Sequence, residues 1–267
     1  MLYFCTPPFV ISTIYDMKNS ILVFIAVSAL LLSSCKQTDN TVTTASKAAT
    51  YYGESKPFGG DSIRSWIKTD VNGNPSSIGV SFKQSAFAKL EGQDDSMFMM
   101  MLPTSGAMML ASPFDHIEVD WSKKGDTDPP YNVSHFDVHC FAVDMASQNG
   151  VMAGMDNMTM MMDTMLIPHG YEMMMDAEAM MGVHAMDTTD HTNPFNHTCM
   201  YGFYHGDLYF MEPMIAKTYL DSKTNFSADI KQPTKFKKSG WYPTKYYVRY
   251  DSNINEYQIS IDNFVQH

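Results

Sequence analysis

Basic residues are scarce in this chain: 18 lysines and arginines stand against 29 aspartates and glutamates, a formal net charge of −11. Binding to phosphate backbones needs the opposite surplus, so composition excludes nucleic acid as a partner and argues against electrostatic adhesion to anionic headgroups. The apolar stretch from Ile21 to Leu32 falls short of the roughly 20 residues that span a bilayer. Cysteine is rare, with four in the chain and only Cys140 and Cys199 beyond Cys35. In an oxidising compartment those two either pair or remain as separate buried thiols. There is no G-x-S-x-G, no glycine loop of the phosphate-cradling type, and no cysteine with a clear activating partner. Nucleophilic catalysis therefore has no sequence support.

What the chain does carry begins at Met17. "MKNSILVFIAVSALLLSSC" runs from a lysine through an apolar core to small residues, the order of a secretory signal. Its Leu-Ser-Ser-Cys ending resembles a bacterial lipobox, in which the cysteine, here Cys35, is lipidated and becomes the first mature residue. Met17 is then the natural start, and residues 1–16 are upstream sequence. The expected organisation is an upstream segment and signal peptide (1–34), a lipidated cysteine with a polar Thr- and Ser-rich tether (35–52), and a single β-rich domain (53–267). The expected location is the bacterial cell envelope, with the membrane as partner through the lipid anchor. More than one acyl chain is needed for stable attachment, since each buried methylene contributes about 0.8 kcal/mol.

Within the domain, period-2 alternation dominates. Ile63 and Ile67 lead to an Asn72-Gly73-Asn74-Pro75 break, then Ile78, Val80 and Phe82 resume, a hairpin signature. A second hairpin is read from Tyr246, Val248 and Tyr250 across "DSNIN" to Tyr257, Ile259 and Ile261. Ile117-Val119-Trp121 and Phe136-Val138-Cys140-Ala142 give further strands. "GFYHGDLYFMEPMIAKTYL" reads as a strand entering a short helix near Pro213, because proline suits a first helical turn. Ser85 to Leu90 reads as another short helix. The fold class expected is mainly β, one sandwich or barrel-like domain with a few short helices.

Methionine is abundant: 25 in the chain, 14 of them between Met145 and Met186. The stretch "MDNMTMMMDTM" offers M-x-x-M and M-x-M spacings that suit soft Cu(I). The plainer reading is that methionine fills irregular core space and flexible apolar surface.

The most chemical stretch is "HFDVHCFAV", His135 to Val143. As a strand it projects His135, Asp137 and His139 on one face and Phe136, Val138 and Cys140 on the other. Neighbours i and i+2 lie about 6.6 Å apart and can share an ion, whereas i and i+4, about 13 Å apart, cannot. So Asp137 with one histidine is the most this strand supplies. His139 and Cys140 point to opposite faces and form no dyad. His184 with Asp187, and His205 with Glu212, are further donors. Two or three histidines with a carboxylate would suit a divalent transition metal such as Zn, Mn, Fe or Ni. His116-Glu118-Asp120 shows the same spacing, opposite Ile117, Val119 and Trp121, and reads as the wet side of an amphipathic strand.

Several segments together are similar to a family of exported bacterial proteins of unknown function, typified by a Thermus stress-regulon protein under extracytoplasmic sigma-factor control. They are "VDWSKKGDTDPPYNVSHFDVHCF", "IPHGYEMM", "MMGVHAMD", "MYGFYHGDLYFMEPMIAKTYL" and "GWYPTKYYVRYD". The resemblance spans residues 53–264 and is strongest at His135-Phe136-Asp137 with His139, Gly182 with His184, and Glu212-Pro213-Met214. It implies an exported β-rich domain, with self-assembly into a homo-oligomer left open, and no assigned reaction. It favours His135, Asp137, His139, His184 and Glu212 as the candidate cluster. One departure is that Asp126 follows Gly125, where the family often has histidine. Four readings stay open: a lipid-anchored, stress-related protein binding a metal or small ligand; a metal-dependent enzyme with Glu212 as ligand or base; copper handling by the Met tract; and a structural assembly module.

Overall fold

The computed structural model describes residues 47–103, 112–127, 129–189 and 194–267. Cys35, the stretch read as a signal and most of that read as a tether lie outside the described residues, as do Met108 and Met109.

The alternation read from sequence becomes 13 strands in two antiparallel sheets. The first sheet holds β1 (Ala49–Phe58), β2 (Asp61–Thr69), β3 (Pro75–Lys83), β11 (Phe226–Asp229), β12 (Trp241–Asp251) and β13 (Glu256–Gln266) in the order β1-β2-β3-β13-β12-β11. The second holds β4 (Ser96–Met101), β5 (His116–Ser122), β6 (His135–Phe141), β7 (Tyr171–Met173), β8 (Val183–Asp187), β9 (His197–Tyr204) and β10 (Asp207–Ala216) in the order β4-β5-β6-β10-β9-β8-β7. Among the described residues, four short α-helices join them: α1 (Gln84–Phe87), α2 (Met145–Asn149), α3 (Asn157–Met160) and α4 (Lys217–Asp221). Both expected hairpins are present, as β2–β3 and β12–β13. β1 starts within the stretch read as tether.

The two sheets face each other as a sandwich. Ile63, Ile78, Val80 and Phe82 of the first meet Ile117, Val119, Trp121, Phe136 and Val138 of the second in one buried cluster. Phe82 stacks on Phe136 across the gap at a centroid distance of 5.7 Å. Each such ring removes a large apolar area from water, which is the main favourable contribution to folding. Cys140 and Cys199 lie in this core as free thiols. Burial pushes both thiols well above the usual cysteine range, so neither is a nucleophile.

The expected helix at Pro213 is corrected. β10 continues through Pro213 to Ala216, and α4 begins only at Lys217. Met211 and Ile215 join the core between the sheets, and this alternation overrides the local preference of proline. A proline cannot donate to a ladder, so central strands exclude it except where the ladder opens. Here it opens: β10 pairs with β6 at Met211–Cys140 and again at Met214–Asp137, with Glu212 and Pro213 between them unpaired on that side. The same segment also holds a tight turn, with His205 and Gly206 at φ 52° and 75° joining β9 to β10.

Candidate metal centre

The second sheet has one apolar face, against the core, and one polar face, and the polar face is buried. Strand register builds it. Glu118 of β5 sits opposite His139 of β6, and Asp120 opposite Asp137. Continuing the β6–β10 register places Glu212 beside His139. His184 enters from β8, opposite Gly202 of β9. Gly202 is required here. The Phe210 ring lies so close over it that an added Cβ would come within 2.1 Å of the ring. Both histidines pack on that ring, at centroid distances of 4.8 Å for His139 and 5.0 Å for His184. Gly182, at φ 108°, lets the chain turn into β8 close against Phe203.

His116 and Glu118, expected on a wet side, are buried. Their cover comes from α2, whose Gln148 accepts a hydrogen bond from His116 Nε2 at 2.9 Å and donates to Glu118 Oε2 at 2.9 Å. Sequence alternation identifies a polar face, but not whether a distant loop folds over it.

The five candidates divide. His135 and Asp137 form one pair, with His135 Nε2 3.2 Å from Asp137 Oδ1 and 3.7 Å from Asp126. Asp126, which follows Gly125, thus faces His135. Burial by itself would lower the His135 pKa, but Asp137 and Asp126 outweigh it and raise it to about 9. This end of the strand is a charge pair.

His139, His184 and Glu212 form a second group. One donor atom from each lies within 4.8 Å of the others, and all three residues are buried. His139 Nε2 is 3.5 Å from Glu212 Oε1, and His184 Nε2 is 3.7 Å from Glu212 Oε2. These separations are long for hydrogen bonds. They are close to the ligand-to-ligand edge of a tetrahedral site, about 3.4 Å for bonds of about 2.1 Å. Both nitrogens of His139 and Oε2 of Glu212 have no hydrogen-bond partner among the described residues. The outer nitrogens face carboxylates: His139 Nδ1 is 3.4 Å from Asp120 Oδ2, and His184 Nδ1 is 3.8 Å from Glu178 Oε1. Carboxylates in that place orient ligating imidazoles.

The electrostatics agree with a site wanting positive charge. Burial pushes the Glu212 carboxyl upward, opposed by His139. Burial acts to lower His139, but Glu212, Asp120 and Asp137 outweigh it and raise it, so a bound ion would have to displace that proton. Burial and the neighbouring His139 charge push His184 down to about 3, so its imidazole is neutral, as a ligand must be. A second group, Glu118, Asp120 and His139, shares His139. Glu118, Asp120, Glu178 and Gln148 were missed in the sequence reading as parts of a site. The only available signal was the i, i+2, i+4 pattern of His116-Glu118-Asp120.

His205 stands apart, exposed in the β9–β10 turn. Asp187 is paired with Lys231 at 2.6 Å.

Residues 70–121 match the model of the TTHB210-like family, described as hypothetical protein TTHB210, in agreement with the resemblance to a Thermus-typified family of unknown function. That span carries Glu118 and Asp120 but not His139, His184 or Glu212. No curated protein and no solved structure matches the chain.

Proposed function

We propose that this chain is a lipid-anchored protein of the bacterial envelope that binds a divalent transition metal at His139 Nε2, His184 Nε2 and the Glu212 carboxylate. The observation that carries the reading is that His139 Nε2 and His184 Nε2 stand 3.5 and 3.7 Å from Glu212 oxygens, longer than hydrogen bonds, with one donor atom of each of the three buried residues within 4.8 Å of the others. Asp120 and Glu178 would fix the two imidazoles from behind. Two nitrogens and one carboxylate suit zinc or a similar first-row ion, with at least one position left for water or a small ligand. Both Glu212 oxygens face histidines, so Glu212 serves as ligand rather than as a base. Metal binding is the reading that these residues carry. The anchor rests on the signal ending in Cys35, and an extracytoplasmic sigma-factor context, implied by the family resemblance, fits a stress-related role.

Co(II) tests the centre, because a tetrahedral ion gives intense visible bands. Full-length protein stripped with chelator should develop them at one equivalent, and His139→Ala and His184→Ala should abolish them. Bands that persist in both variants would remove these residues from the site. No bands in the wild type would leave His139 as a buried imidazolium paired to Asp120 and Glu212.

A further inference from the structure

The methionine-rich segment encloses a small concavity. Met152, Met155 and Met158 line a cavity of about 240 Å³ together with Tyr204 and His205. The three methionines are 72%, 65% and 58% exposed, so they contribute nothing to the core. Single exposed apolar side chains need no explanation, but three at i, i+3 and i+6 around one hollow do.

The hollow is held in shape from both ends. The Met152 N–H donates to the Tyr204 hydroxyl at 3.2 Å. Asp156, between Met155 and Met158 in sequence, caps α3 by accepting from the Met158 and Thr159 N–H groups and from the Thr159 hydroxyl at 2.6 Å. It also accepts from the His205 N–H at 2.7 Å. The carboxylate that could have attracted a hard cation is thus occupied by backbone and hydroxyl donors. Besides Asp156, whose oxygens are taken up by those donors, the hollow is lined by three methionines and His205. His205 stacks on Tyr204 at 4.1 Å and sits at φ 52° in a two-residue turn, a conformation uncommon for a side-chain-bearing residue.

We propose that this hollow is a second metal site, selective for a soft monovalent ion of the Cu(I) type, with Met152, Met155 and Met158 as thioether donors and His205 as the nitrogen donor. Neutral, polarisable sulfur matches a soft ion and discriminates against the hard divalent ions that carboxylates take. Thioethers bind without losing a proton, so the site loads where a thiol would be oxidised or protonated.

Ag(I) is the redox-stable probe. In full-length protein carrying 13C-methyl methionine, the first equivalent of Ag(I) should shift the methyl signals of Met152, Met155 and Met158 and leave buried Met211 unmoved. Replacing the three exposed methionines with leucine should weaken Ag(I), and Cu(I) in competition with a chelator, by at least about tenfold, on the scale of losses seen when metal sites are stripped of supporting groups. His205→Asn, which keeps a residue tolerant of positive φ, should weaken it as well. Neither change should alter Co(II) bands at His139 and His184, so the two sites fail independently. Unmoved methyl signals at one equivalent, or unchanged affinity in the leucine variant, would overturn the proposal.

Discussion

At the scale of single residues, His135 offers a test free of the metal. Its pKa is raised to about 9 in the fold against about 6.5 in an unfolded chain. Below pH 6.5 both states hold the proton and the stabilisation is full. Between the two values only the folded state holds it, and above about 9 the contribution is gone. Urea unfolding should therefore show a loss approaching about 3 kcal/mol between pH 6.5 and 9.5. Asp137→Asn, which removes the partner at 3.2 Å, should reduce that dependence. An equal slope in wild type and variant would contradict the pairing. The sequence reading placed His135, Asp137 and His139 on one face, and limited how many could share an ion. It could not say that His139 would turn to Glu212 and His184, because those partners arrive from β10 and β8 through register alone.

Among the elements, α2 is the one whose single side chain seals the polar face. Gln148→Leu keeps similar volume but leaves His116 and Glu118 without their 2.9 Å partners. Leaving such buried groups unsatisfied costs about 1–3 kcal/mol, to be measured by urea denaturation at neutral pH. A loss within error of zero would mean that water reaches this face. The hairpins β2–β3 and β12–β13 were legible because their turn residues and alternating sides are local signals. β10 was misread because Pro213 carries a helix-start preference locally, and only the opened ladder beside β6 makes a strand there tolerable. The burial of His116 and Glu118 was invisible for a similar reason, since Gln148 lies 30 residues from Glu118.

For the molecule as a whole, the mainly β class was readable from alternation, but the choice between sandwich and barrel and the exposure of the methionine segment were not. Periodicity does not tell a methionine that packs inward from one left at the surface. The proposed envelope location rests on the signal-like segment ending in Cys35. Cys35→Ala should move the protein from the membrane fraction to the soluble fraction, read by immunoblot after cell fractionation; retention in the membrane would contradict a lipid anchor. The central test concerns the metal. Elemental analysis of the full-length protein, prepared in detergent without chelator, should give close to one equivalent of a divalent transition metal, lost in His184→Ala and kept in His135→Ala. A metal-free wild type that takes up no added ion, or retention of the metal in His184→Ala, would contradict the centre formed by His139, His184 and Glu212.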